Sequence, residues 1–356
     1  MKRLLLFLAL LLALPTPAVA DSHSIYLTSG ANRNYQGEIT NNVFEKSLAP
    51  EGSLGKIVFN PIFKPRTWII DAALLEDVQY LSNKNSTLAK NWLDQLKRVS
   101  RNDTIYATAY GNPDVTYMNS LAPYELNFYY LVGQQHLQAI LLQNVRSEKG
   151  SGFSYKRATI DSDTREFFNT ARQEFIAIST VVNPKEVEGD RARLAQLFSP
   201  DLNIAQRKAL LKNFEIAQPQ VISKLRIVSG KYRITSANQK MPITLVNDFD
   251  SPAKVDLFFT PMNNRVSFPQ YRQITLNPKS KTQVSVPIKS IAAGDVTVFA
   301  RFENGKGKTV GAVGMLDISS TIISPAVTRF TTGAGVLLIL AAIAQSVRRV
   351  RKNRKS

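Results

Sequence analysis

The sequence predicts an α+β chain of several parts: a truncated α/β and helical region, an all-β immunoglobulin-like sandwich and one transmembrane helix. Three observations predict it. Between residues 56 and 115, short apolar runs alternate with stretches of helical period; from about residue 225 the apolar period drops to two. Residues 330–347 carry no charge, and six Lys/Arg then crowd into 348–356.

The chain opens with Lys2 and Arg3, an apolar run over 4–14, and Ala18-Val19-Ala20 before Asp21. A positive start, a short apolar core and small residues at the cleavage point predict a signal peptide over 1–20. Residues 21–55 are polar, with Gly30, Asn32, Asn34 and Gly37 and little periodicity, and are expected to be irregular. His23 in this segment is expected to be disordered.

The α/β and helical region is expected over 56–228. Lys56-Ile-Val-Phe-Asn60 and Thr67-Trp-Ile-Ile-Asp71 read as buried strands, because an uninterrupted apolar run is what a parallel strand covered on both faces needs. Asp71 is placed to cap a helix carrying Leu74, Leu75, Val78 and Leu81. Leu88, Trp92, Leu96 and Val99 give a second helix, residues 104–110 a third strand, and Tyr124, Phe128, Val132 and Ile140 another helix. Strand, helices and strand at this spacing describe a β/α unit with a right-handed crossover. Helical stripes continue from Asp163 to Val228, broken by Pro184 and Pro200.

The sandwich is expected over 229–320. Ile243-Thr-Leu245, Val255-Asp-Leu257, Val284-Ser-Val286 and Val296-Thr-Val298 alternate, and turn residues such as Asn247 to Pro252 and Asn304-Gly-Lys-Gly307 separate them. Residues 321–329 read as a linker. Residues 330–347 read as a membrane span, since 18 residues rise about 27 Å as a helix. The basic tail 348–356 predicts a cytoplasmic C-terminus, with the bulk of the chain outside the membrane.

Composition narrows the chemistry. The chain has 356 residues, no cysteine and a net charge of +18. Thiol catalysis, cysteine metal sites and disulfide scaffolds are excluded, so an exported domain must rely on its core; this favours a bacterial envelope protein. Two positive charges fall in 1–20 and six in 348–356, which leaves about +10 outside. A basic external surface faces anionic wall polymers and lipid headgroups, and nucleic acid is not an expected partner.

Asp71 and Asp114 are the acidic pair with a functional reading, because both follow a predicted strand, where α/β enzymes carry their site residues. As structural residues, Asp71 caps a helix and Asp114 shapes an Asn-Pro-Asp turn. Glu76 and Asp77 read as an exposed helix face, and His136 as a buried, hydrogen-bonded histidine. Tyr106, Tyr110, Tyr129 and Tyr130 read as core or rim. With two separated histidines no metal-ligand spacing exists, and no nucleophile elbow or phosphate loop is present. No catalytic residue, metal or cofactor is assigned; Asp71 and Asp114 are the catalytic pair of an alternative enzyme reading, and ligand-binding residues stay unassigned.

Three stretches carry a resemblance: Trp68-Ile-Ile-Asp71-Ala-Ala-Leu74-Leu75, Tyr106-Ala-Thr-Ala-Tyr110-Gly-Asn-Pro-Asp114-Val, and the segment from Tyr232 through Pro242 to Asn247-Asp with the sandwich, span and Arg-rich tail after it. Together, from roughly Lys56 to the C-terminus, they resemble DUF6049, an actinobacterial family of uncharacterised envelope proteins sometimes labelled glycoproteins. The resemblance implies a secreted, singly anchored protein with an immunoglobulin-like module before the membrane and a degenerate polysaccharide-deacetylase-like barrel. It also implies a peptidoglycan context, since such proteins are typically encoded near the lipid II flippase. This chain is shorter than usual for the family, and Tyr-Gly-Asn-Pro-Asp replaces a more acidic Asp-Pro-Asp, so a full barrel is not expected. The resulting expectation is a non-enzymatic binding or scaffold protein of the cell membrane. Its partners would be the bilayer through 330–347 and an envelope glycan or membrane proteins of wall synthesis. The alternative is a carbohydrate-active hydrolase or deacetylase-like enzyme using Asp71 and Asp114.

Overall fold

A computed structural model describes residues 23–40, 42–62, 65–151, 156–321 and 325–353, without the side chains of 272, 325–331, 347 and 349–353. The expected signal peptide lies outside the described residues. The chain divides into two compact units, one of residues 1–169 and 190–217 and the other of 170–189 and 218–356.

The first unit is α/β. In chain order it contains β1 (His23–Leu27), α1 (Asn42–Ser47), α2 (Ser53–Phe59), β2 (Arg66–Ile70), α3 (Ala72–Asn83), α4 (Thr87–Val99), β3 (Thr104–Ala107), α5 (Val115–Leu121), α6 (Pro123–Leu141) and β4 (Arg146–Ser147). Parts of α7 (Ser162–Ile178), α8 (Lys185–Arg193) and α9 (Ile204–Ile222), with a 3-10 turn at Leu194–Phe198, complete it. The four strands are all parallel, in the order β1-β2-β3-β4, and among the described residues they form an open sheet.

β2 is buried at every position and has a strand on either side. At the N-terminal edge of the sheet, Arg66 donates to Val99 O at 2.9 Å and pairs with Asp103 at 2.9 Å, and Trp68 Nε1 donates to the same carboxylate at 2.9 Å. Helix α4 starts on Ser86, whose hydroxyl accepts from Ala89 N, and turns Ala89, Trp92, Leu93 and Leu96 inward. Trp92 Nε1 donates to Leu54 O at 3.0 Å, which seats α2.

Two expectations for this region are corrected. Residues 56–60 lie in α2 and its cap, not a strand: Leu54 and Val58 are four apart and both buried, and a short apolar run does not by itself separate strand from helix. Residues 23–55 are irregular only in part: 28–40 form a loop, but β1, α1 and the start of α2 are regular, and His23 lies opposite Arg66 in β1. β1 escapes pattern reading because it is an edge strand with one neighbour, so His23, Ser24 and Tyr26 stay exposed or half-exposed.

The second unit holds β5 (Leu225–Ile227), β6 (Gly230–Ile234), β7 (Asn238–Asn247), β8 (Ala253–Pro261), β9 (Val266–Ser267), β10 (Tyr271–Leu276), β11 (Ser280–Ser290), β12 (Gly294–Glu303) and β13 (Thr309–Ser320). They form one nine-stranded, curled sheet in the order β10-β8-β12-β13-β5-β7-β11-β9, with β6 beside β13. Pairing is antiparallel except where β13 meets β5 and β6. The alternating residues are the buried ones: Ile243, Leu245, Val255, Leu257, Val286, Ile288, Val296 and Val298. Asn247 organises the turn after β7, its amide donating to Ser251 O, Leu276 O and Asn277 O while its carbonyl accepts from Phe249 N. Gly311 has φ +73, and a Cβ there would lie 2.2 Å from Leu225 O, so only glycine lets β5 lie against β13.

Helix α10 (Pro325–Asn353) extends well beyond the expected span at both ends, taking in most of the expected linker and part of the basic tail. Val336, Leu337, Leu338, Ile339, Leu340 and Ile343 on it are all more than half exposed. The expected span 330–347 includes residues whose side chains are not described. Among the described residues, no helix is long and apolar enough to cross a membrane.

Candidate functional site

The C-terminal ends of the four parallel strands bring together the buried polar residues Asp71, Thr108 and Glu148. Leu27, Ile70, Ala107 and Ser147 are neighbours across the sheet. The next residues, Thr28, Asp71, Thr108 and Glu148, continue that row: Asp71 N donates to Leu27 O, Thr108 N to Ile70 O and Glu148 N to Ala107 O, each at 3.0 Å. With strands about 4.8 Å apart, the Asp71 and Glu148 backbones are separated by roughly 10 Å. This is the edge on which parallel α/β folds present ligand-binding groups.

Asp71 is fully buried. Its Oδ1 accepts from Ala73 N at 3.0 Å, capping α3, and from Gly111 N at 2.8 Å. Its Oδ2 and the Thr108 hydroxyl are buried with no hydrogen-bond partner. Burial, reinforced by the charges of Asp201 and Asp77 against the two backbone bonds, pushes the Asp71 carboxyl from 3.8 up to about 8. Burial alone raises Glu148 to about 7.

Asp114 also serves as a cap. Its Oδ1 accepts from Tyr117 N at 2.9 Å at the start of α5, its Oδ2 accepts from Ala158 N at 3.0 Å, and Arg157 lies 3.5 Å away. Asp71 and Asp114 share no partner, and the charges acting on Asp71 are those of Asp201 and Asp77. Asp201 is in turn held by Asn112 Nδ2 at 2.8 Å.

The main groups that sequence reasoning missed lie on α3. Glu76 and Asp77 are not an exposed face; Asp77 is 2% exposed. Asp77 accepts from Arg33 Nε at 2.6 Å and Asn32 Nδ2 at 3.0 Å, both from the loop after β1. Burial still leaves its pKa raised despite Arg33 and Arg193. Glu76 receives His136 Nδ1 at 2.5 Å, Tyr110 Oη at 2.7 Å and Arg193 at 3.4 Å. Burial opposes its ionisation, but those bonds and the Arg193 charge together hold the Glu76 carboxyl below its ordinary range. His136 is hydrogen-bonded as expected but half-buried rather than buried, and Tyr110, Tyr129 and Tyr130 belong to the core. Asn32 and Arg33 follow the His-Ser-Ile-Tyr-Leu segment of β1, which carries no alternation that would have placed them.

Gly111 makes the turn that delivers its N–H to Asp71. Its φ is +76, and a Cβ there would lie 2.7 Å from Gln196 Cγ and 3.0 Å from Gln196 N. Gly111→Ala is expected to cost about 1–3 kcal/mol. Denaturant unfolding followed by tryptophan fluorescence checks this, since Trp68 and Trp92, the chain's two tryptophans, are both buried in the first unit.

The model of DUF6049, described as a family of unknown function, matches residues 141–355. The chain belongs to this family. The DUF6049 match includes Glu148, Arg191, Arg193, Asp201 and the nine-stranded sheet, while Asp71, Glu76, Asp77 and Asp114 precede it. No curated protein matches the chain.

Solved structures with local likeness include WR4, an MSP family member of Caenorhabditis elegans. It is 9% identical over 28% of this chain and 99% of its own, with a TM-score of 0.22. A fragment of Escherichia coli alpha-2-macroglobulin is 13% identical over 27% of this chain and 16% of its own, with a TM-score of 0.22. A CARDB domain from Pyrococcus furiosus is 10% identical over 27% of this DUF6049 chain and 91% of its own, with a TM-score of 0.20. At these scores the likenesses carry no argument about what the DUF6049 chain does. Among its described residues, no group of three or more His, Cys, Asp or Glu is placed to hold a metal ion.

Proposed function

We propose that this chain is a single-pass membrane protein of the cell envelope. Its bulk lies outside, its C-terminus lies in the cytoplasm, and its role is to bind or scaffold envelope components without catalysis. The observation that carries the reading is the run of exposed Val336 to Leu340 and Ile343 on α10, apolar surface that water penalises and a bilayer accepts. The basic residues of 348–356 give the orientation. The four parallel strands in sequential order fit a partial, deacetylase-like barrel, and the curled sheet fits an immunoglobulin-like module next to the membrane. An envelope glycan and membrane proteins of wall synthesis are the proposed partners.

Against catalysis by Asp71 and Asp114, three of their four carboxylate oxygens accept backbone N–H groups. One observation favours the enzyme alternative: Asp71 keeps a buried, unbonded Oδ2 and a pKa of about 8, the kind of perturbation found at catalytic sites. The double variant Asp71→Asn, Asp114→Asn separates the two. Under the binding reading neither parent nor variant turns over glycan, and the membrane level of the variant equals that of the parent. Turnover by the parent that the variant loses, at equal membrane level, would establish the enzyme reading instead.

A further inference from the structure

Beside the C-terminal edge of β1, two cavities of about 540 and 220 Å³ share Arg33, Leu210 and Asn213 as walls, so they are two parts of one groove between the 28–37 loop and α9. Their sizes fall in or near the range of small-molecule sites, about 300–1,000 Å³. The groove's chemistry differs from that of the capped carboxylates.

Its guanidiniums are paired: Arg33 with Asp77 and Arg193 with Glu76, and the Asp190 carboxylate in the same wall also acts on Arg193, so neither guanidinium is left to attract an anion. What the groove offers beyond these charges is neutral. The Gln196 and Asn213 carboxamides line it, and among the described residues neither side chain takes part in a hydrogen bond; Gln196 is 6% exposed. Each amide presents one acceptor and one doubly donating nitrogen, the complement of adjacent hydroxyls.

An aromatic face completes the set. Tyr35, 39% exposed, stands on a fixed turn: Asn34 Oδ1 accepts from Gln36 N and Glu38 N at 2.9 Å, Asn34 N donates to Glu38 O at 2.8 Å, and Gly37 N donates to Asn34 O at 3.0 Å. An aromatic ring held in place gives contact area at little entropic cost.

From the paired guanidiniums, the unspent amides of Gln196 and Asn213 and the presented ring of Tyr35, we infer that this groove binds an uncharged oligosaccharide. The inference rests on the binding reading above and gives it a place on the molecule and a ligand class. It assigns Tyr35 to ring stacking, and Gln196 and Asn213 to the sugar hydroxyls.

The test titrates the full chain in nanodiscs with a neutral chito-oligosaccharide, a neutral cello-oligosaccharide and inorganic phosphate, by ligand-observed NMR and calorimetry. At least one neutral sugar is expected to bind, with less than about a twofold change in Kd from low to high salt, because no net charge is engaged. Tyr35→Ala and Asn213→Leu, at positions outside the buried ion pairs, are each expected to weaken binding about tenfold with the melting temperature unchanged. If sugar binds but both folded variants bind equally well, the groove is wrong and the wider binding reading stands. If phosphate binds and neutral sugars do not, the ligand class is wrong. If none of the three binds, the inference falls, and crosslinking of the full chain to neighbouring membrane proteins then decides whether the binding reading survives without it. A variant that melts early is replaced by Asn213→Asp, where a new charge at the same position is expected to lower affinity while salt dependence appears.

Discussion

Arg191→Ala is expected to destabilise the α/β unit by about 3–5 kcal/mol, the largest single effect anticipated for this chain. Glu125 in the first turn of α6 has a side chain only 2% exposed. Its two oxygens are taken by Arg191 Nε at 2.7 Å and Arg191 Nη2 at 2.8 Å, a two-pronged pair that a planar guanidinium matches and an ammonium does not. The same guanidinium lies 4.0 Å from the centre of the Phe128 ring. Alanine leaves a buried carboxylate with no counter-charge, whereas Arg191→Lys keeps the charge and loses the fork, so its cost is expected to be smaller. Adding Glu125→Gln to Arg191→Ala is expected to recover part of the loss, because the stranded charge is then gone. Unfolding midpoints of the three variants by tryptophan fluorescence check this; equal midpoints for Arg191→Ala and parent would contradict it.

Asp71 gives the second large effect, and its sign depends on pH. Asp71→Ala removes the cap of α3 and strands Gly111 N, at a cost of about 2–4 kcal/mol. Asp71→Asn keeps the accepting oxygen in place and behaves differently. The folded carboxyl has its pKa raised to about 8 from 3.8, so the folded state holds a proton that the unfolded state has lost across that window. Folding stability from this group is therefore fully present below about pH 4, declines as pH rises through the window, and is flat above about 8. The slope is on the order of 1 kcal/mol per pH unit. Asp71→Asn removes the dependence and is expected to gain on the parent steadily from pH 5 to about pH 8 and to hold that gain above it. Glu148, with a folded pKa of about 7, adds a parallel decline that closes earlier and cancels when parent and variant are compared. Denaturation of both proteins at several pH values reads the difference directly; a pH-independent difference would show that Asp71 is ionised in the fold.

How much of this could be read from the chain depends on where each signal lies. The strands of the curled sheet were legible because each half-buried strand alternates, as in Ile243-Thr-Leu245 and Val296-Thr-Val298. The capping role of Asp71 was legible too, since a carboxylate ahead of Leu74, Leu75 and Val78 is a local pattern. The polar cluster was not. His136 on α6 reaches Glu76 on α3 across 60 positions and Arg33 reaches Asp77 across 44, and the second pairing depends on β1, an edge strand with too little apolar content to declare itself. Glu148 was missed because β4 is two residues long and gives no periodicity. Asp71 and Asp114 both follow β-strand ends in the sequence, and the residue that continues Asp71's row in the sheet is Glu148.

The central claim is that α10 anchors an external binding module. The measurement that tests it most directly is protease accessibility of the full chain, carrying an epitope after residue 356, in intact cells with the wall removed. The account predicts that external protease digests residues 23–321 and leaves a small, membrane-bound fragment with the epitope intact. Loss of the epitope together with the bulk, or survival of the whole chain, would contradict it.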